Sequence, residues 1–493
     1  MRKKAIVLGS GFAGLSAACF LAKQGMEVTI LEKNNSAGGR ARQFEAHGFV
    51  FDMGPSWYWM PDVFERFFGS FGKKVSDYYE LVRLDPSYSV VWNNETWAIP
   101  ADYDQLKRLF ETIEPGSAGQ LDAFMNEAEY KYGVGIMDLV YKPGRNLLEF
   151  ADMRILRGIL KMDILQTMKS HVAHYFKNKR LQQLMEFPVL FLGAMANKIP
   201  ALYSLMNYAD IKLGTWYPQG GMYRIVEAMV SLAKELGVTI RLEHEATGFE
   251  FEKNTIKKVI TAQGHFEADV VVSGADYHHT EQVLLPPQFR KYSESYWNSR
   301  VLAPSCILYY VGLNKKVSNI GHHTLFFDTP FDKHGEEIYT HPEWPSNPLF
   351  YVSCPSRTDD TVAPAHGENL FFLIPIAAGL KGDSEDLRTT FFDRIIQRFE
   401  NHVGHTIKES IVFYKSYSIT DFENNYHSYK GNAYGLANTL SQTALLKPGL
   451  KNPKLKNLYY TGQLTVPGPG VPPSLISGEV VAKEIEKDWR LKG

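Results

Sequence analysis

The sequence predicts an α/β chain: a Rossmann-like nucleotide-binding domain, a β-sheet substrate domain and a helical cap. Three observations predict it. The chain opens on a short aliphatic run, AIVL at 5–8, then a glycine-rich turn, a helical run and a second apolar run ending at Glu32. The stretch ADVVVSGAD at 268–276 reads as a strand buried on both faces. Near the other end, LYYTG precedes a Pro/Gly-rich loop and a helical run, VPPSLISGEVV.

The first unit is a βαβ. Its glycines, Gly9, Gly11 and Gly14, form a G-x-G-x-x-G directly after the strand. Gly9 is suited to the tight turn, Gly11 to close approach of a pyrophosphate, and Gly14 to close packing of helix on strand. The helix N-terminus then offers free N–H groups and its dipole to the phosphates. Glu32, about 20 residues further on, is placed to accept from ribose hydroxyls and disfavours a 2′-phosphate. The same opening, MRKKAIVLGSGFAGLSAACFLA, has the basic start and apolar core of a secretory signal. A signal needs no such glycine spacing and no terminal acid, so the working-enzyme reading is preferred.

At 493 residues the chain exceeds what one core supports, and two or three domains are expected. A net charge of −1 excludes a global field that would recruit nucleic acid. The three cysteines, Cys19, Cys306 and Cys354, are scattered without a C-x-x-C, which argues against a zinc site and suits a reducing cytoplasm. No metal is expected. No run reaches the roughly 18 apolar residues of a spanning helix; the apolar stretch 187–206 carries Lys198 and two prolines.

Behind Glu32 and Lys33 comes Gly38-Gly39-Arg40, where glycines clear the way for a guanidinium to fork onto phosphate oxygens. FDMGPSWYWMPD follows, with Gly54 and Pro55 at its turn. Residues 222–237 have helical spacing closed by Gly237, and 238–276 alternates as strands and hairpins through Ala246. The final helix is expected to begin near Pro472 to Ser474, because proline is tolerated in a first turn.

Together these segments resemble the bacterial phytoene desaturases, the carotenoid desaturase family of amine-oxidase-like flavoproteins. The resemblance covers most of the chain in order and is weakest over 85–210. It departs from the family form at Gln463, Leu464, Val466 and Pro469, near the expected flavin face. It implies FAD, held by the glycines, Glu32, Lys33 and Arg40 on the nucleotide side and by Gly54, Pro55, Gly462, Val471 and Pro472 toward the ring. The backbone around Glu245 and Ala246 would meet the adenine. It implies a discontinuous FAD domain (1–74, 215–290, 445–493), a substrate domain (75–120, 291–444) and a cap (121–214) with a membrane-facing side.

The implied reaction removes a hydride to flavin and a proton from the adjacent carbon of a polyene, either phytoene-type or already hydroxylated, with a quinone or oxygen as electron acceptor. Asp152 falls where family members carry an acid proposed for proton transfer; the alternative is a solvated helix carboxylate. The run Trp57, Tyr58, Trp59, Met60 and the stretch 187–206 are expected to line an apolar pocket, while His278 and His279 are expected to cap a strand end. Competing readings are an amine- or protoporphyrinogen-oxidase-like enzyme and a non-enzymatic GDI-like lipid-binding protein. Residues 154–180, with Arg154, Arg157, Lys161, Lys169, Lys177, Lys179 and Arg180 against Asp163, read as one interfacial helix. The expectation is a cytoplasmic protein, peripheral to the inner face of the membrane, taking a carotenoid from it.

Overall fold

Five parallel strands form the floor of the nucleotide-binding half in the computed structural model, which describes residues 2–93, 95–144, 166–193 and 195–489. They are β1 (Lys4–Leu8), β2 (Glu27–Leu31), β3 (Thr239–Arg241), β4 (Val270–Ser273) and β5 (Leu458–Tyr460), in the order β5-β4-β1-β2-β3. Three distant parts of the chain supply them, in register Leu8 with Leu31 and Ser273, and Ser273 with Tyr460. Being central and covered on both faces, β1 and β4 read as unbroken aliphatic runs rather than alternating ones.

Helix α1 (Phe12–Lys23) crosses from β1 to β2 with Phe12 to Leu21 all buried. α2 (Tyr223–Glu235) ends at Gly237, whose φ of +83° closes the helix as expected. α3 (Val471–Trp489) begins within a residue of the expected position. It lies against α1 so closely that a Cβ on Gly478 would come within 2.5 Å of the Ser16 Cβ and 2.6 Å of the Ala13 carbonyl oxygen. Ser16 Oγ donates to the Leu475 carbonyl across this contact at 2.7 Å.

The other half is a seven-stranded sheet, in the order Ile411–Tyr417, Ser305–Leu313, Glu368–Ile376, Phe350–Ser353, His323–Phe326, Tyr88–Trp92, Glu95–Ile99. It is antiparallel except where His323–Phe326 runs parallel to Tyr88–Trp92. Its second strand, Ser305–Leu313, is buried at every residue. Ile307, Tyr309, Val311 and Leu313 pack with the helix Glu385–Val403, while Cys306, Leu308 and Tyr310 join the core shared with the nucleotide half.

Helices between 103 and 211 cover one end. Within 166–180 the single interfacial helix expected from the sequence is two short ones, Met168–Tyr175 and Lys179–Glu186. The chain turns extended at Phe176, which is fully buried, and Asn178 caps the second helix by accepting from the Arg180 and Leu181 amides. The rest of that segment, and Asp152, lie outside the described residues. Among the described residues no helix is long and apolar enough to cross a membrane.

The α1–α3 contact should tolerate no added volume. Gly478→Ala is expected to lower stability by about 1–3 kcal/mol through overpacking. Gly119→Ala, in a helix with open space at that position, should raise it by about 0.5–1 kcal/mol. Chemical denaturation midpoints of the two variants check this.

Candidate functional site

The two sheets wall one continuous cleft, with about 3100 Å³ of atom-free space including its open mouths. It starts at the carboxyl ends of β1 and β2, where a parallel sheet leaves its binding crevice. Gly9 (φ +88°) makes the turn out of β1. A Cβ on Gly14 would sit 2.1 Å from the Gly9 carbonyl oxygen, so Gly14 serves helix–strand packing and does not itself line the cleft. Gly11 and Gly39 face each other: a Cβ on Gly39 would lie 3.2 Å from the Gly11 Cα.

Glu32 is buried at the end of β2. Its Oε2 accepts from the Ser10 amide at 2.8 Å and the Ser10 hydroxyl at 2.7 Å, and its Oε1 from the Asn34 amide and side chain, both at 2.9 Å. The carboxylate thus shapes the glycine turn from below. A ribose hydroxyl, the partner the spacing predicts for Glu32, would take the place of Ser10 Oγ or Asn34 Nδ2.

Arg40 lines the cleft, donating through Nη2 to Ser428 Oγ at 2.8 Å and to the Asn432 carbonyl at 3.3 Å. Burial pushes its pKa down, opposed by the Asp276 carboxylate. Its buried Nε has no hydrogen-bond partner among the described residues. Lys33, Glu245 and Ala246 border the same arm. So does His279, expected from the sequence to cap a strand end: Asp276 is the cap, accepting from the His279 amide, and the ring faces the cleft, stacked on His427. Burial, then the neighbouring His427, lower its pKa to about 4.

Gly54, Pro55, Gly462, Val471 and Pro472 line the middle of the cleft, joining the sheet ends to the N-terminus of α3. A Cβ on Gly54 would stand 2.5 Å from the Arg40 carbonyl oxygen. Gly462 donates its amide to Ser477 Oγ at 2.9 Å, tying β5 to α3. Of the four residues that depart from the family form, Gln463 and Pro469 line the cleft; Leu464 and Val466 are buried behind it. Two helix N-termini, the glycine cradle and an orphaned guanidinium nitrogen fit a dinucleotide with a pyrophosphate and an extended ring.

Beyond this junction the cleft turns apolar and aromatic. Trp57, Trp59, Met60, Phe187, Phe327 and Tyr351 contribute to its wall. Tyr58 does not, contrary to expectation: it points away, stacked on Phe64 and hydrogen-bonded to Tyr79. The wall is braced from behind. Trp59 Nε1 donates to Thr215 Oγ1 at 2.8 Å, Thr215 Oγ1 to Asp210 at 3.2 Å, and Tyr88 OH to Asp210 at 2.8 Å. Burial raises the Asp210 pKa to about 7 against these hydrogen bonds. Trp57 stacks on His323 at 4.2 Å, and His323 Nδ1 meets Tyr351 OH at 2.6 Å. Of the stretch 187–206, Phe187, Met195, Ala196, Asn197 and Met206 reach the cleft.

This arm opens to solvent where Lys169, Asn197 and Asp332 line it. Just inside is Glu186, which no sequence signal marked. Burial lifts its pKa to about 7, with Lys169 opposing. Among the described residues no group of His, Cys, Asp or Glu is arranged for a metal.

Residues 12–486 match the family described as flavin containing amine oxidoreductase. The chain is similar to the carotenoid 3,4-desaturase of Haloarcula japonica, 40% identical with 98% of each chain covered. It is also similar to the 4,4'-diapophytoene desaturase of Staphylococcus aureus, 31% identical with 98% and 99% covered. Its fold is similar to that of a fatty acid isomerase from P. acnes, with a TM-score of 0.60, 15% identity and 98% of each chain covered.

Glu32→Ala removes the acceptor that four donors share. A charge-assisted hydrogen bond is worth roughly 1.5–3 kcal/mol, so cofactor affinity should fall about ten- to hundredfold or more. The flavin-to-protein absorbance ratio of the purified variant checks it.

Proposed function

This chain belongs to the carotenoid desaturases of the flavin-containing amine oxidoreductase family, and we propose that it introduces carbon–carbon double bonds into a linear carotenoid. It is an FAD-dependent oxidoreductase. The observation that carries the substrate reading is the continuity of one cleft, polar and glycine-lined at the nucleotide end and aromatic at the other. When bound there, FAD supplies a hydride acceptor. The protein's own contribution is to hold the polyene against the junction at Pro55, Trp57 and Gln463 and to exclude water with the Trp57–Trp59–Phe187 wall.

A hydrocarbon chain makes no demand for hydrogen bonds, and the arm offers few. An amine substrate would need a buried counter-charge beside the junction, whereas Glu186 lies at the far end near the mouth. A GDI-like binding protein would have no use for the glycine cradle and Glu32. Between a phytoene-type and a hydroxylated polyene, Glu186 favours the latter. A buried carboxyl group where the apolar wall meets the polar mouth, with no hydrogen bond to any described residue, suits a terminal hydroxyl. Electrons then pass to a quinone or oxygen.

The substrate dissolves in bilayers, so the reading includes peripheral docking on the inner face of the cell membrane. The mouth beside Lys169 supports it, as do the exposed Lys177, Lys179 and Lys198. Arg180 does not belong to that set, because it pairs with Glu95 and lies over Trp92.

Expression in hosts that accumulate either phytoene or a hydroxylated carotenoid tests the reaction. Pigment of longer wavelength is expected, and more of it from the hydroxylated precursor; unchanged pigment in both hosts would refute the reading. For docking, the double variant Lys177→Glu, Lys179→Glu should lose about 2 kcal/mol of attraction to anionic vesicles while keeping its flavin. Cosedimentation at low and high salt measures it.

A further inference from the structure

The cofactor arm has a wall that the nucleotide-binding half does not supply. Helix Ile419–Tyr426 follows the edge strand Ile411–Tyr417 of the seven-stranded sheet. Its end turns back through His427 in a left-handed conformation, φ +50°. Phe422, Asn425, Tyr426 and His427 line the cleft opposite Glu32, Lys33 and Ala246.

Side chains of the nucleotide half reach across to grip this segment at four places. Lys33 Nζ donates to the Asn424 carbonyl at 2.8 Å. His427 Nε2 lies 2.6 Å from Glu245 Oε1 and 3.2 Å from Lys33 Nζ; the carboxylate can only accept, so Nε2 donates to it. Arg40 donates to Ser428 Oγ, and the Arg40 and Arg42 guanidinium groups sit 5.3 and 5.4 Å from the Tyr426 ring. The His427 ring is in turn stacked on His279, 4.0 Å apart and within 8° of parallel.

Ser428 is buried at the foot of the segment, but the contacts of Lys33, Glu245 and His427 are unlike those of a domain core. Glu245 is 46% exposed, His427 32% and Lys33 25%. Exposed ionic contacts are individually weak and screened by salt, so the segment is held in a way that can open and reclose. An adenosine bound between Glu32 and Ala246 would be covered by it.

We propose that residues 424–428 form a clasp over the adenosine half of FAD, with His427 as its latch, so that the substrate domain governs cofactor retention. The proposal rests on the FAD reading. The nucleotide cannot leave until Lys33 releases Asn424 and Glu245 releases His427. Release should therefore follow opening of the clasp rather than the strength of the glycine cradle alone.

The test is the rate at which FAD leaves the holoenzyme after dilution into excess apoflavoenzyme trap, followed by the activity the trap regains as it captures released FAD. His427→Ala should release FAD several-fold faster, the loss of a part-exposed charge-assisted hydrogen bond. His427→Gln, which keeps a donor toward Glu245, should restore much of the retention. Release from the wild type should accelerate with salt, and that dependence should be blunted in His427→Ala. Should His427→Ala fail to fold, Glu245→Gln weakens the same contact from the other side and should release FAD faster too. Equal release rates for wild type, His427→Ala and Glu245→Gln at every salt concentration would overturn the clasp while leaving the FAD reading intact. A wild type that takes up no FAD would remove both.

Discussion

The approach of α1 to its neighbours sets the geometry on which the molecule depends. A side chain at Gly14 would collide with the Gly9 carbonyl, and one at Gly478 with Ser16 and Ala13. Glycines on both sides let α1 lie against β1 beneath and α3 beside it at backbone distance. The N-termini of α1 and α3 thereby border one cleft, although nearly the whole chain separates them. Dipoles fall off within a turn, so two helix ends serve one cofactor only when the helices are packed this tightly. The requirement for FAD is thus met first by small residues in the core and only then by polar residues in the cleft.

From that junction the two arms diverge in chemistry. On the nucleotide side, polar groups are held by one another: Glu32 gathers Ser10 and Asn34, and Arg40 gathers Ser428 and Asn432. On the other side the groups that touch the cleft are aromatic, and the hydrogen bonds that fix them run behind the wall, through Thr215 and Asp210. Polar bracing thus rigidifies an apolar surface without presenting polarity to it. Glu186 breaks this pattern, and it does so near the solvent mouth, where the Lys169 ammonium offsets part of the cost of its burial.

Local chemistry was legible in the sequence where it is local in the fold. The βαβ unit, the acid ending β2, the Gly237 helix end and the start of α3 each rest on neighbouring residues and on one period, and each stands within a residue or two of its expected place. The reach of Lys33 to Asn424 spans 391 residues, and that of Arg40 to Ser428 spans 388; no spacing encodes such pairs. Tyr58 is expected in the wall because its neighbours in sequence belong there, but Trp57 and Trp59 face the cleft while the residue between them turns away. The cationic run ending at Arg180 kept its helical period on paper. Burial of Phe176 breaks it, because an aromatic ring gains more in the core than in continuing a surface helix. His279 and Glu186 carried no motif at all. They matter through burial and neighbours, which only the folded chain supplies.

The alternation along Ser305–Leu313 has a consequence for how such a scaffold diversifies. Cys306 and Leu308 look into the cleft, while Ile307 and Tyr309 on the same strand are sealed against the helix Glu385–Val403. Exchange at Cys306 or Leu308 redraws the contour that the substrate meets, and the load of the fold stays on Ile307 and Tyr309. Selectivity and foldability are thus written on alternate letters of a single strand. Drift in one can proceed for many steps before the other is taxed.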